Sequence, residues 1–260
     1  MKLPLFQVDA FAESLFKGNP AAVIPLDEWL NTETMQQIAM ENNLSETAFF
    51  LPARDGFEIR WFTPKSEVKI CGHATLAAAH VIFTEASYPK DEITFGSLSG
   101  PLRVCKRDEL LQLDFPTDKV QPIDAPNQVI QALGKLPIAC YKGKTDCMLV
   151  YETEKEIRDI NPNYAALSKV DIRGVVVTAA GNDVDFVSRF FAPRLGLYED
   201  PVTGSSHTLL TPYWAGKLGK TEMKARQLSS RGGELLVSLQ ANRVLIAGKT
   251  KTYLRGEIFI

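Results

Sequence analysis

Arg60-Trp61-Phe62-Thr63-Pro64 returns later in the chain as Arg189-Phe190-Phe191-Ala192-Pro193, at an offset of 129 residues. After each block comes a glycine followed by an apolar run: Gly72-His73-Ala74-Thr75-Leu76-Ala77-Ala78-Ala79-His80-Val81, and Gly204-Ser205-Ser206-His207-Thr208-Leu209-Leu210-Thr211-Pro212-Tyr213-Trp214. Thr75 and Thr208 stand 133 apart, as do Gly100 and Gly233 in the turns Ser97-Leu98-Ser99-Gly100 and Ser230-Arg231-Gly232-Gly233. Three blocks in one order at a near-constant offset mark a tandem duplication. Two copies are too few for a solenoid, whose repeats bury a core only by stacking about three or more units. The 260 residues therefore read as two related halves.

Each half reads as strands around one central helix. Glu46 to Leu51, Phe57 to Phe62, Gly174 to Thr178 and Asp185 to Phe191 carry the apolar and aromatic enrichment of strands. The two glycine-led runs are apolar nearly all round, so each helix should be surrounded rather than laid on a surface. The expected fold is α+β, with two pseudo-symmetric halves, each a curved, mostly antiparallel sheet or barrel around a central helix. Further helices are signalled by Asn31 to Asn43, with Asn31 as cap, by Asp124-Ala125-Pro126 running to Gly134, and by a shorter one after Asn161-Pro162-Asn163. Pro116, Pro122 and Pro126 interrupt regular structure and place the junction within residues 115–126. The halves are expected at 1–115, joined by the C-terminal strand 250–260, and at 116–249, with an active site in the cleft between them, because pockets favour domain seams.

With 29 Lys+Arg against 31 Asp+Glu and no basic run, the chain lacks the footprint of a nucleic-acid binder. No apolar window is long enough to span a membrane, and the start turns polar too soon for a signal peptide, so a cytoplasmic protein is expected. Cys71, Cys105, Cys140 and Cys147 form neither a disulfide framework nor a C-x-x-C pair. His73, His80 and His207 show no metal-ligand spacing, and no dinucleotide, Walker or nucleophile-elbow motif is present. Chemistry by side chains alone, on a small molecule, is the expectation, with no metal and no cofactor.

The starts of the two apolar helices are candidate anion sites, since the first backbone N–H groups lack intrahelical partners and the dipole there is positive. Ordinary caps would account for either turn alone. Glu46 lies in Asn43-Leu44-Ser45-Glu46-Thr47-Ala48-Phe49-Phe50; a loop glutamate is ordinarily solvated, but these neighbours predict partial burial and a pKa raised toward general acid/base use. Asp200, in Glu199-Asp200-Pro201-Val202-Thr203-Gly204, either shapes an Asp-Pro turn or titrates at the site. His73 at a helix start should be neutral. A thiol at Cys71 should have its pKa lowered there. His207 and His80 read as satisfied core histidines.

Phe6-Gln7-Val8-Asp9-Ala10-Phe11, Gly18-Asn19-Pro20-Ala21-Ala22-Val23, Asn43-Leu44-Ser45-Glu46-Thr47-Ala48-Phe49, Cys71-Gly72-His73-Ala74-Thr75 and Glu199-Asp200-Pro201-Val202-Thr203-Gly204-Ser205 together closely resemble the PhzF-like family of phenazine-biosynthesis-type isomerases. With the turn at 230–233 the resemblance covers essentially the whole chain. It implies a diaminopimelate epimerase-like fold and a cofactor-independent isomerase that moves a proton between carbons of a ring carboxylate. Glu46 would be the general acid/base, with His73 and Asp200 orienting the substrate and relaying charge. Gly72, Gly204, Ser205 and Ser45 would bind its carboxylate. In diaminopimelate epimerase the place of Cys71 holds a catalytic cysteine, so Cys71 is a candidate additional acid/base; the second half offers no matching thiol. A homodimer acting on a small carboxylate is expected. The competing readings are an amino-acid or hydroxy-acid epimerase or racemase, and a non-catalytic metabolite-binding or interaction protein on the same fold.

Overall fold

The computed structural model describes residues 1–86 and 88–260. They form two compact units, Met1–Asp114 with Ala247–Ile260, and Phe115–Ile246. The first contains β1 (Lys2–Ala10), β2 (Asn19–Pro25), α1 (Thr32–Asn42), β3 (Glu46–Ala53), β4 (Gly56–Phe62), the short β5 (Glu67–Val68), α2 (Gly72–Glu85), β6 (Glu92–Gly96), β7 (Leu102–Arg107) and β8 (Leu110–Pro116), whose last two residues open the second unit. The second contains β9 (Gln121–Pro122), α3 (Asn127–Leu133), β10 (Ala139–Lys142), β11 (Asp146–Val150), α4 (Glu154–Asp159), α5 (Tyr164–Leu167), β12 (Gly174–Ala180), β13 (Phe186–Phe191), α6 (His207–Leu218), β14 (Glu222–Gln227), β15 (Gly233–Gln240) and most of β16 (Arg243–Gly248). The chain then returns to the first unit as β17 (Thr250–Phe259), antiparallel to β1.

The duplication is visible strand by strand. In the first unit β1 and β2 are antiparallel, β2 and β3 parallel, β3 and β4 antiparallel, β4 and β6 parallel, and β6 and β7 antiparallel. In the second unit the series β10, β11, β12, β13, β14, β15 pairs in the same alternation. The sequence pattern shows why the strands take these places. β12 reads Gly-Val-Val-Val-Thr-Ala-Ala and β13 Phe-Val-Ser-Arg-Phe-Phe, nearly every residue buried, which requires cover on both faces. Val175, Val177 and Ala179 pack toward the core that also holds Val129, Leu133 and Ile157 of the outer helices. Thr178 points the other way, where its hydroxyl accepts from Trp214 Nε1 of α6 at 2.9 Å. In the first unit α2 is the surrounded element: nine of its residues, from His73 to Ile82, are buried. At roughly 1.5–3 kcal/mol for each large apolar side chain taken out of water, Leu76, Val81 and Ile82 contribute strongly to holding it there.

An ion pair invisible to a search for strands repeats as well. Arg60 donates through Nε and Nη2 to Glu67 at 2.7 and 2.8 Å, and Arg189 donates likewise to Glu199 at 2.7 and 3.0 Å. Each guanidinium also lies over an aromatic ring, Phe62 at 5.2 Å and Phe191 at 4.9 Å. Glu67 and Glu199 each stand five residues before a glycine, Gly72 or Gly204. The fork geometry of Arg against carboxylate thus ties the end of a strand to the loop that feeds a central helix, once in each unit.

The local helix signals are realised with exceptions. Asn31 caps α1, accepting from Thr34 N at 2.7 Å, and Asn43 ends it in the left-handed region at φ 48°. Gly134 ends α3, and Asn163 caps α5 through Ala166 N. Sequence reading missed α4, although Thr153 and Glu156 form a capping box. It also placed a helix start at Gly204. The structure begins α6 at His207, because residues 204–206 make a tighter turn in which His207 N donates to Gly204 O and Thr208 N to Ser205 O. Pro212 sits inside α6 without kinking cost at one obvious point: the Thr208 carbonyl that Pro212 cannot serve accepts from the Asp118 backbone N–H at 3.0 Å.

Candidate active site

Three of the residues singled out in the sequence meet in the first unit. Glu46 opens β3, directly after the left-handed Asn43 turns the chain out of α1. Cys71 and His73 lie at the start of α2. His73 Nε2 stands 3.1 Å from Glu46 Oε2, and its Nδ1 stands 3.6 Å from Cys71 Sγ. A fourth participant, Asn19, was not singled out as a site residue: its Nδ2 lies 3.2 Å from His73 Nδ1. Asn19 is placed by Gly18, whose positive φ of 70° and close approach to the Ala10 carbonyl leave no room for a Cβ. His73 is buried and Glu46 half-buried, its side chain 17% exposed.

The charges differ from the sequence expectation. Burial pushes the Cys71 thiol up rather than down, and the carboxylate of Glu46 adds to this. For His73, burial works against the imidazolium, but its interactions with Cys71 and Glu46 outweigh it and hold the imidazole well above its ordinary value. Since Cys71 keeps its proton, Glu46 is the counter-charge that matters near neutrality. The prediction of a neutral His73 considered only the helix end; a carboxylate 3.1 Å away is the stronger local field. An imidazolium donates from both nitrogens, so in that state the Asn19 amide turns its oxygen to Nδ1.

In the second unit, Asp200 is 7% exposed and accepts from Thr203 Oγ1 at 2.5 Å. Gln227 of β14, also unpredicted, locks this loop: its Nε2 donates to the Asp200 carbonyl at 2.7 Å and its Oε1 accepts from Thr203 N at 2.8 Å. Gly204 is buried in the turn before α6, and Ser205 is half-buried with its carbonyl accepting from Thr208 Oγ1. By the repeat, Thr203 occupies the place of Cys71, each one residue before the helix-feeding glycine. Replacing Gln227 by Ala strips a buried donor and acceptor of their partners and should destabilise the protein by about 2 kcal/mol, read as a lower urea midpoint at unchanged m-value. An unchanged midpoint would show that the loop holds its shape without this side chain.

His207 Nδ1 donates to the Thr203 carbonyl at 2.9 Å, while its buried Nε2 has no hydrogen-bond partner. It is therefore a half-satisfied core histidine. His80 is satisfied on both nitrogens, by Thr250 Oγ1 at 2.8 Å and Thr252 Oγ1 at 2.7 Å. Ser45 is half-buried beside Glu46, and Gly72 is the first residue of α2. A groove of about 860 Å³ runs along α1 and the chain ends, lined by Leu30, Ile38, Ile258 and Ile260, and takes in none of these site residues. Spacing in the sequence argued against a metal, yet Glu46, Cys71 and His73 each present a ligand atom within 4.8 Å of the others.

A probable proline racemase from Agrobacterium radiobacter superposes with a TM-score of 0.65 over 99% of this chain and 92% of its own, at 14% identity, a likeness of fold alone. The fold class is thus that of the epimerase-like α+β proteins. The chain belongs to the PhzC-PhzF family of phenazine biosynthesis-like proteins, whose pattern matches residues 8–257. It is 46% identical to a PhzF-family protein of Enterococcus faecalis, whose crystal structure superposes with a TM-score of 0.97 over the whole of both chains. It is 51% identical, over 99% of each chain, to a Pseudomonas aeruginosa protein named as an uncharacterized isomerase. Among the described residues, no helix is long and apolar enough to cross a membrane.

Proposed function

We propose that this protein is an isomerase that moves a proton between carbons of a small, cyclic carboxylate, with Glu46 as general acid/base and neither a metal nor an organic cofactor in the reaction. The observation that carries this reading is the half-buried Glu46 carboxylate facing a buried His73 at 3.1 Å. A carboxylate so placed can take a proton from carbon while the imidazole stabilises its charged form and sets its orientation. Cys71 makes no side-chain cap on α2, so the first-turn N–H groups from Gly72 on suit a substrate carboxylate, and the positive helix end favours the dienolate that proton removal creates; Ser45 is proposed as a further contact on its motif. One carboxylate that takes the proton from one carbon and returns it to another suffices for an isomerisation on a single face. Roles for Asp200, Gly204 and Ser205 are proposed on their motif, with Asp200→Asn expected to lower kcat.

The reaction run in deuterated water with a panel of small cyclic and amino carboxylic acids tests this. Deuterium at one new carbon, followed by NMR, is the expected result. No exchange with any acid, and no thermal shift by any of them, would sink the reading.

A second reading, epimerisation, is favoured by one observation: a second proton-bearing group, the Cys71 thiol, stands at the site, 3.6 Å from His73 Nδ1. Label at an inverted α-carbon, together with loss of that exchange in Cys71→Ser, would select it. Retained exchange in Cys71→Ser selects single-carboxylate isomerisation.

A further inference from the structure

We infer that Glu46, Cys71 and His73 form a binding site for a thiophilic divalent cation, Zn²⁺ above all, and that the cation held there blocks proton transfer. The binding half rests on geometry; the blocking half rests on the function proposed above. A thiolate, an imidazole nitrogen and a carboxylate oxygen are the donor types zinc takes, and all three lie within 4.8 Å of one another.

The relation between Glu46 and His73 points the same way. Oε2 and Nε2 are 3.1 Å apart, and both are buried atoms left without a hydrogen-bond partner. Two ligands of one tetrahedral zinc, each about 2.0–2.1 Å from the ion, stand side by side about 3.3 Å apart with no need to point at each other. A cation between them satisfies both buried atoms at once. Asn19, with its amide oxygen turned to the Nδ1–H, supplies what a metal-bound histidine ordinarily has, an acceptor on its other nitrogen that fixes the ring. Cys71 Sγ, in the same cluster of donors, is the third ligand. Two anionic ligands then neutralise the ion, and a fourth position stays open to water or a substrate carboxylate, the arrangement of an accessible rather than a closed structural site. With Glu46 Oε2 and His73 Nε2 committed to the ion, neither atom can take up or return a proton. Mg²⁺ and Ca²⁺, which prefer all-oxygen shells, have no such set here. Loading displaces the protons of Cys71 and His73, so affinity rises with pH.

The test is a titration of the purified full chain with ZnCl2 against a chromophoric zinc chelator, with circular dichroism confirming that each variant is folded. Wild type should withdraw one equivalent of zinc. Cys71→Ser and His73→Ala should each weaken binding by at least about tenfold, Cys147→Ser should not, and millimolar MgCl2 should not compete. If His73→Ala fails to fold, the near-isosteric Cys71→Ser decides. Failure of wild type to withdraw zinc, or equal affinity in Cys71→Ser, overturns the site. Zinc bound without inhibition of an active enzyme overturns the blocking half, whereas zinc bound by a protein inactive toward every carboxylate supports the site and counts against the proposed function instead.

Discussion

Glu46→Gln should lower kcat by roughly 10²–10⁴-fold, the range that a positioned general acid/base contributes. The amide matches the carboxylate in shape, so β3 and its pairing with β2 and β4 should be undisturbed. What disappears is the capacity to take and return a proton. A second readout is independent of any substrate: without the carboxylate 3.1 Å from Nε2, His73 loses a charge that holds its pKa up, and burial then pulls it down. Imidazole titration by NMR should show that fall. Full turnover in Glu46→Gln would remove the glutamate from the mechanism. An unmoved His73 titration would show that the pair does not interact as drawn.

Acidification from pH 6.5 to 4 should remove several kcal/mol of stability through two histidines given no part in that chemistry. Burial lowers His207 to about 4, only partly offset by its bond to the Thr203 carbonyl. Burial likewise lowers His80 to about 4; Glu85 works against this, while Arg255 and Lys251 add to it. The sign follows from proton uptake. Below 6.5 the unfolded chain protonates both rings while the folded chain does not, so stability is full above 6.5 and falls until the folded value near 4 is reached. A displacement of about two and a half pH units corresponds to roughly 3 kcal/mol for each histidine, somewhat less for His80 because it is not fully buried. Their sum is comparable to the roughly 5–15 kcal/mol that holds an ordinary domain folded. His73, raised rather than lowered, has the opposite sign: its contribution is fully present below 6.5 and is lost only as pH rises through its folded value, so it adds no slope in the acid window. Urea unfolding at pH 7 and at 4.5 checks this, and His207→Gln should flatten the slope by about half. Equal stability at the two pH values would refute the assignment.

The parts of this molecule that were legible in the sequence are those written locally or twice. Asn31, Gly134 and Asn163 announce helix ends because a cap needs only its own few neighbours. The duplication is legible because the same apolar and aromatic pattern must fill the same core in each unit. Long-range partners were not legible: nothing in Gly18-Asn19-Pro20 says that the amide meets His73, 54 positions on, nor does Gln227 announce that it will hold a loop 24 to 27 positions earlier. The charge states of Cys71 and His73 failed for a related reason. A helix-end argument uses what is adjacent along the chain, and the field there comes from Glu46, which the fold delivers from the start of β3. Glu67 and Glu199 were within reach, standing at the same offset as the glycines that follow them, but a carboxylate on its own does not reveal that an arginine will grip it.

That doubled arginine–glutamate grip bears on how such a protein changes its trade. Between Glu67 and Gly72 the chain reads Val-Lys-Ile-Cys, and between Glu199 and Gly204 it reads Asp-Pro-Val-Thr. The outer end of each four-residue span is fastened to a strand by the same arginine–glutamate pair, and the inner end runs into a central helix. The frame is thus the same in both copies while the contents differ, a thiol in one and an acid with a hydroxyl in the other. Each content is fitted to its own surroundings, as the Gln227 clasp on Asp200 and Thr203 shows. A different reagent at these positions would keep the frame and need its own local partners.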